Sequence, residues 1–216
     1  MKKDLPNVTL IGITCKDKEA LKVLKIAADI CQKDFSFGAV KILTSIKDGD
    51  SRIVTIPHHT SLREYNDFLV KKLWKYVDTE YALHFHPDSF ILNPSAWDDA
   101  FIKYDYLGIP WYRPGSPKIG GNGGFSIRSK RLLTFIAKNY ERIGGKIFPE
   151  DLWLCEVARP FIEKEGMKFA PIQVALNWGK EGNNRGVVWN GEFGWHGLNY
   201  TDISKWLNKN PEYKDV

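Results

Sequence analysis

Residues 81–88 read YALHFHPD, an apolar run that predicts a buried β-strand, and Pro87 ends this strand because proline cannot donate a hydrogen bond to a sheet. The chain before it alternates strand and helix patterns: strands are predicted at residues 8–15, 38–44 and 52–56, and helices at residues 17–33 and 61–76. This order is typical of the α/β class. We therefore expect a mostly parallel, doubly wound central sheet with helices on both faces.

Length and composition predict one globular domain. The 216 residues are 43% hydrophobic and include 12 Phe, 9 Tyr and 8 Trp, which is enough apolar surface to exclude a disordered chain. The net charge of +5 is spread without a basic run, so a nucleic-acid partner is not expected. No apolar run is long enough for a signal peptide or a membrane span, and the 3 cysteines indicate no disulfide framework. We therefore expect a cytoplasmic protein without a membrane span.

The carboxyl ends of the predicted strands carry polar side chains. Thr14 and Thr44 end two of the strands, and His86 and Asp88 follow at the end of the strand at residues 81–86. Ligands of doubly wound sheets gather at this edge, where a carboxylate can hold a hard divalent cation that bridges two phosphates. The alternative for Asp88 is a turn residue whose carboxylate accepts hydrogen bonds from nearby backbone N–H groups.

Glu150 and Asp151 follow Pro149, where a helix is predicted to begin and to run to about residue 163. Adjacent carboxylates at such a position can supply a general base, since one can orient while the other takes the proton from an incoming hydroxyl. The simpler interpretation is that both acids stabilise the positive end of the helix. The residues alone leave both interpretations open.

A glycine-rich segment, GGNGGFSIR at residues 120–128, lacks the lysine of a phosphate-binding P-loop and the glycine spacing of a dinucleotide fingerprint. It predicts backbone that passes close beneath a flat or sugar-like ligand, with a tight turn as the alternative. His196 lies in FGWHG at residues 193–197. It is a candidate ligand for a metal or a diphosphate, or else a buried packing histidine.

Seven motifs, taken in order, resemble a family of bacterial, fungal and viral proteins known chiefly as a domain of unknown function and related to GT-A-type glycosyltransferases. The motifs are DSFILNP at residues 88–94, WDD at 97–99, YDYLGIPW at 104–111, GNGGFSIRS at 121–129, PED at 149–151, KFAP at 168–171 and FGWHG at 193–197. The resemblance covers the chain from about Val8 to Leu198. It implies a single GT-A-like domain over residues 1–216, with a donor-binding half at about residues 8–90 and an acceptor-binding, catalytic half at about residues 91–200.

This resemblance implies a metal-dependent inverting glycosyltransferase that moves a sugar from a nucleoside-diphosphate donor to the hydroxyl of a glycan or another acceptor. A UDP-sugar is the leading donor candidate. The cofactor would be Mn²⁺ or Mg²⁺, held by Asp88, His86 and His196. Asp151 would be the catalytic base, with Glu150 as a neighbour that orients the acceptor.

Other side chains are expected around the two substrates. Those expected at the donor nucleotide are Thr14, Thr44, Tyr65, His86 and Asp88, and those expected at the acceptor are Trp111, Tyr112, Gly123, Gly124 and Phe125. Two alternatives use the same fold. A non-enzymatic carbohydrate-binding module would bind sugar without transferring it, and a nucleotidyltransferase would release pyrophosphate.

Overall fold

The computed structural model describes residues 2–111, 120–182, 187–197 and 204–213. The strands are β1 (Lys3–Ile13), β2 (Phe35–Thr44), β3 (Ile53–Thr55), β4 (Tyr81–Phe85), β5 (Ser89–Ile91), β6 (Tyr106–Pro110), β7 (Gly120–Ser129), β8 (Gly179–Glu181) and β9 (Gly194–His196). The α-helices are α1 (Lys18–Lys33), α2 (Leu62–Lys71), α3 (Lys130–Ile143), α4 (Glu150–Leu152), α5 (Arg159–Lys164), α6 (Ile172–Trp178) and α7 (Ser204–Lys209). Short 3₁₀ helices cover Leu73–Tyr76, Pro94–Ala96, Asp99–Lys103 and Pro211–Tyr213, and a π-helical segment, Trp153–Ala158, joins α4 to α5.

Six of the described strands form the central sheet, in the order β3-β2-β1-β4-β7-β6. β1 pairs in parallel with β2 and with β4, and β2 pairs in parallel with β3. β7 runs antiparallel to both of its neighbours, β4 and β6. The sheet is therefore mixed, and its parallel part is the half that the alternating strand and helix patterns predict.

Apolar side chains cover both faces of this sheet, because successive residues of a strand point to opposite sides. Leu10 and Leu83 belong to a core cluster that includes residues of α1 and α6. Their neighbours Ile11 and Ala82 belong to a second cluster with residues of α2, α3 and α5. The predicted α/β class, with helices on both faces of a central sheet, is confirmed.

Hydrogen-bonded caps begin the two helices of the first half. Asp17 accepts from the N–H of Ala20 at 2.8 Å at the start of α1. Ser61 accepts from the N–H of Glu64 at 3.2 Å at the start of α2. The Glu64 carboxylate accepts at 2.6 Å from the N–H of Thr60, one residue before the position that a capping box uses. These caps fix where α2 begins and therefore where its side chains meet the sheet edge.

A second sheet contains β5, β9 and β8 in that order. β5 pairs antiparallel with β9, so Ser89 lies opposite His196. β8 pairs in parallel with β9, so Glu181 also lies opposite His196. Because β5 begins directly after Asp88, these pairings bring three distant parts of the chain together.

The glycine-rich segment does not form the tight turn that was the alternative interpretation. Residues 120–129 are the strand β7, whose register with β6 shifts at Ile109 and Pro110. Close approach of neighbouring groups explains the glycines: a Cβ at Gly121 would lie 2.7 Å from the Trp111 ring. Among the described helices, none combines the length and the apolar character that crossing a membrane requires.

Candidate functional site

A cavity of about 810 Å³ opens where β1 and β4 end and α2 begins. Thr14 and Cys15 line it from the end of β1, and Tyr65 lines it from α2. His86 and Asp88, which follow β4, also line it. The cavity therefore lies at the carboxyl edge of the parallel strands, the position at which ligands of this fold class bind.

Three candidate metal ligands, His86, Asp88 and His196, are clustered, and the first two of them line this cavity. Each offers one ligand atom, and these atoms all lie within 4.8 Å of one another. His196 Nε2 is 3.8 Å from Asp88 Oδ1, and the centroids of the His86 and His196 rings are 5.4 Å apart. Imidazole nitrogens and carboxylate oxygens are ordinary ligands of divalent metal ions, so these side chains fit the metal that the resemblance implies.

Glu181 fixes the orientation of His196. Glu181 Oε2 lies 2.8 Å from His196 Nδ1, and the same oxygen accepts a hydrogen bond from Asn122. Nδ1 donates to Glu181, and the other ring nitrogen, Nε2, lies on the side of Asp88. Burial lowers the pKa of His196, but the hydrogen bond and charge of Glu181, with the charges of Asp88 and Asp151, outweigh burial and raise this pKa above its ordinary value. The surroundings of His196 therefore favour positive charge.

A partly buried hydrogen-bond chain holds His86. His84 Nδ1 lies 2.9 Å from the carbonyl oxygen of Gly123, which can only accept, so His84 donates from Nδ1. Tyr65 Oη lies 3.2 Å from His84 Nε2 and 2.8 Å from His86 Nε2. Burial is the main cause that lowers the pKa of His84 well below its ordinary value and that of His86 to about 4. With both rings neutral, Tyr65 donates to His84 and accepts from His86 Nε2, which leaves His86 Nδ1 unprotonated.

Gly123 and Gly124 lie between Asp151 and the cluster of candidate metal ligands, His86, Asp88 and His196. The N–H of Gly123 donates to Asp151 Oδ2 at 3.2 Å. A Cβ at Gly124 would overlap the His196 ring, so this close approach requires glycine. One dipeptide therefore contacts both the cluster of candidate metal ligands and the candidate base.

Asp151 combines incomplete burial with a raised pKa. Burial, and then the charge of Glu150, raise the pKa of Asp151 to about 6. The N–H groups of Gly123 and Leu152 donate to its two oxygens at 3.2 and 2.8 Å. Such a carboxylate is ionised at neutral pH and is a stronger base than an ordinary aspartate, which suits it to accept a proton from a substrate.

Glu150 is placed differently from its neighbour. Its side chain is 8% exposed and accepts at 2.6 Å from Arg128, whose side chain is 1% exposed. The same nitrogen, Arg128 Nη2, donates to the carbonyl oxygen of Gly123 at 3.1 Å. The ion pair therefore ties α4 to β7. This burial does not match the acceptor-orienting role that the resemblance implies for Glu150, because its carboxylate is occupied by Arg128.

Two expected substrate contacts are buried in the core. Thr44 is fully buried outside the cavity, and its Oγ1 accepts from the N–H of Ile46 at 3.1 Å. Phe125 is fully buried as well, and its ring stacks on Trp178 with 4.9 Å between centroids. Thr44 therefore does not reach a donor in the cavity, and Phe125 presents no face to an acceptor ring.

Of the other expected acceptor contacts, Gly123 and Gly124 lie at the candidate site, against Asp151 and His196. Trp111 is 9% exposed and packs into the core cluster on the side of α2 and α3. Tyr112 lies outside the described residues.

Sequence reasoning missed three residues that shape the site: His84, Arg128 and Glu181. The sequence could have indicated His84 as a site residue, because it precedes His86 by two residues and therefore points to the same side of the strand. Arg128 and Glu181 had no local signal. Their roles depend on partners from other parts of the chain, Glu150 and His196.

Two solved structures match this chain over different shares of its length. A glycosyltransferase involved in the glycosylation of the major capsid of PBCV-1 has a similar structure, with a TM-score of 0.54 and 13% sequence identity over 94% of this chain and 98% of that chain. Residues 1–349 of S. aureus TarS match with a TM-score of 0.34 and 16% identity over 62% of this chain and 49% of that chain. The first of these structures supports a glycosyltransferase-like fold.

The sequence comparisons identify a family. No curated protein matches this chain. A family model described as "Protein of unknown function (DUF5672)" matches residues 50–196, which is more than half of the chain. The chain therefore belongs to the DUF5672 family.

Proposed function

We propose that this chain is a metal-dependent inverting glycosyltransferase that transfers a sugar from a nucleoside-diphosphate donor to an acceptor hydroxyl. One observation carries the proposal: Gly123 contacts Asp151, and the adjacent Gly124 contacts His196 of the metal cluster. The candidate base and the candidate ion ligands therefore lie one dipeptide apart. Sugar transfer needs both, because the acceptor hydroxyl must lose a proton while a diphosphate leaves.

His86, Asp88 and His196 would hold the ion, for which the resemblance implies Mn²⁺ or Mg²⁺. When bound, such an ion would neutralise charge on the diphosphate leaving group. Tyr65 and Glu181 hold the two histidines by hydrogen bonds of 2.8 Å each, so the ligands are oriented in advance.

Asp151 would accept the proton of the acceptor hydroxyl. Its carboxylate is fixed by backbone N–H groups, so its position does not depend on the substrate. The acceptor oxygen would attack the anomeric carbon on the side opposite the diphosphate, and the new carbon–oxygen bond would form as the bond to the diphosphate oxygen breaks. A single displacement of this kind inverts the configuration at the anomeric carbon.

The cavity at the sheet edge suits the donor nucleotide. Its volume of about 810 Å³ lies in the range of small-molecule sites, and Thr14, Tyr65 and Asp88 line it. We propose a UDP-sugar as the first donor to test. The acceptor, a glycan or another molecule with a free hydroxyl, would approach Asp151 from the side of Gly123.

We further propose that the chain works as one domain, with a donor half at about residues 8–90 and an acceptor half at about residues 91–200, and that it does so in the cytoplasm. Its cysteines, Cys15, Cys31 and Cys155, are free and buried, which supports a reducing compartment.

Release of a nucleoside diphosphate tests the proposed function. We expect the metal-loaded chain to release it from at least one of a panel of nucleotide sugars, and we expect release to stop when a chelator removes the metal. Pyrophosphate as the product would identify a nucleotidyltransferase instead. Sugar binding without release from any donor would identify a carbohydrate-binding module, and full activity in excess chelator would exclude metal dependence.

Gly124→Ala should weaken metal binding, because the added Cβ would overlap the His196 ring and displace this ligand. We expect the Mn²⁺ affinity to fall by about 10–100-fold, as when the orientation of a metal ligand is lost. Titration of Mn²⁺ by electron paramagnetic resonance measures this affinity. Gly49→Ala is the matched control, since a Cβ at Gly49 meets no atom within 4 Å. Equal affinities of the two variants would place His196 outside the metal site.

A further inference from the structure

We infer that Asn66 is a positioning residue for proton transfer, because its side chain fixes the start of α4 and thereby the place of the candidate base, Asp151. The inference rests on the proposed function, in which Asp151 takes the proton of the acceptor hydroxyl. One contact between two helices carries it: Asn66 Oδ1 accepts from the N–H of Glu150 at 2.6 Å. Asn66 therefore acts on the residue before Asp151 and through it on the base.

The start of α4 takes its cap from another helix. The first N–H groups of a helix have no partner within the helix, and a side chain just before the helix usually accepts from one of them. Pro149 occupies that position, and its side chain has no atom that accepts a hydrogen bond. Asn66 supplies the acceptor from α2 instead. This cap therefore fixes where α4 lies relative to α2 as well as where α4 begins.

Both polar atoms of the Asn66 side chain have fixed partners. Nδ2 donates to the carbonyl oxygen of Leu62 at 2.6 Å within α2, while Oδ1 accepts from Glu150. A carbonyl can only accept and an N–H can only donate, so the amide has one orientation. Asn66 is 7% exposed, so water is a poor substitute for its oxygen. The acceptor is therefore held in place from its own helix.

Asn66 and Arg128 hold Glu150 from two elements. The Glu150 carboxylate accepts from Arg128 of β7, and the Glu150 backbone N–H donates to Asn66 of α2. Asp151 is the next residue, and its Oδ2 accepts from the N–H of Gly123 at 3.2 Å. Removal of the Asn66 side chain would free the backbone at the start of α4, and Asp151 would then shift relative to Gly123.

The same turn of α2 also reaches the other part of the candidate site. Tyr65 Oη lies 2.8 Å from His86 Nε2, and the next residue, Asn66, contacts Glu150. Consecutive residues of one helix therefore set the separation between the candidate ion ligands and the base. A misplacement of about 1 Å can lower a rate by about 100-fold, so this separation matters for transfer.

A double-mutant cycle on kcat tests the role of Asn66. We expect Asn66→Ala to lower kcat for sugar transfer by about 10–100-fold and to leave KM for the donor within about twofold, because the base is misplaced and the donor cavity is unaltered. In the Asp151→Asn background, the same substitution should lower kcat by about twofold at most, since no base is left to misplace. A residue that stabilises the fold alone would cost the same in both backgrounds.

Asn139→Ala is the matched control. Asn139 Nδ2 donates to the carbonyl oxygen of Phe135, four residues earlier in α3, as Asn66 Nδ2 does to that of Leu62. The control therefore removes the contact within the helix without the contact to Glu150, and kcat should stay at the native value. Asn66→Asp keeps an acceptor oxygen and should recover most of the kcat that Asn66→Ala loses.

Amide hydrogen exchange measured by NMR tests the cap without any substrate. In the native protein the N–H of Glu150 should exchange at least about 100-fold more slowly than in an unstructured peptide. Asn66→Ala should remove most of this protection, and Asn139→Ala should keep it. An unprotected Glu150 N–H in the native protein would overturn the inference.

Equal losses of kcat from Asn66→Ala in the native and Asp151→Asn backgrounds would also overturn it. If Asn66→Ala fails to fold, exchange at Glu150 in the native protein still decides whether the cap exists, and Asn66→Leu, which keeps the volume of the side chain without an acceptor, replaces it in the cycle. No transfer from any donor by the native protein would refute the proposed function, whereas transfer with equal losses in the two backgrounds would refute the role of Asn66 alone.

Discussion

Asp151→Asn is expected to lower kcat for sugar transfer by about 10²–10⁴-fold, because an amide cannot take the proton of the acceptor hydroxyl. The substitution keeps the shape of the side chain, and the remaining oxygen can still accept from the N–H of Gly123 or Leu152. We therefore expect the fold and donor binding to be retained. Nucleoside-diphosphate release at saturating donor and acceptor measures the effect.

The pH profile provides an independent check on Asp151. Burial and the charge of Glu150 raise the pKa of Asp151 to about 6, so the ionised base predominates above this pH and is lost as the pH falls through it. In the native protein kcat should decrease about tenfold per pH unit below about pH 6, and Asp151→Asn should lack this acid limb. Glu156→Gln, at an exposed position of the π-helical segment, should leave both rate and profile unchanged. A native rate for Asp151→Asn, or the same acid limb, would exclude Asp151 as the base.

Arg128→Met is expected to lower the free energy of unfolding by about 3–5 kcal/mol, because it leaves the buried Glu150 carboxylate without its partner. The guanidinium is 1% exposed and also donates to the Gly123 carbonyl, so water cannot replace what is lost. Urea denaturation followed by circular dichroism measures the change.

The same substitution at Arg142 is the matched control. Arg142 is exposed in the last turn of α3, so Arg142→Met should change stability by about 0.5 kcal/mol at most. The double variant Arg128→Met with Glu150→Met should recover much of the loss, since neither charge is then left alone. Equal stabilities of the two single variants would show that the ion pair does not hold α4 against β7.

The fold could be predicted where local patterns agree with the final packing. Residues 81–85 of YALHFHPD form β4, and the helices predicted to start at residues 17 and 61 begin at the caps Asp17 and Ser61. Residues 120–124 could not be predicted as strand, because glycine has low strand propensity and this segment is paired in the sheet with the distant strand β6. β7 pairs antiparallel with both of its neighbours, β4 and β6, and these pairings make the sheet mixed.

The alternation of side chains along β7 also explains why Phe125 is not the acceptor contact that was expected. In a strand, it shares a face with Ile127 and points into the core cluster with Trp178, while Ser126 and Arg128 point to the other side. The alternation of β7 therefore decides which side chains reach the site.

Only the part of the candidate site that lies within one short segment could be predicted from the sequence. His86 and Asp88 are two residues apart, so their proximity follows from the strand alone. The place of His196 requires the pairing of β5 with β9, and that of Glu181 requires the pairing of β8 with β9. Such pairings join distant segments and leave no periodic signal in either one.

The second sheet also links the candidate site to folding. Asp88 and His196 come from distant points of the chain and become neighbours only when β5 pairs with β9. An ion held by both would join these segments as a cross-link does, and its binding free energy would add to the stability of the native state. A molecule in which β9 has detached would lose the candidate ligand His196 and, with it, the ion. Metal occupancy would therefore report whether β5 and β9 have paired.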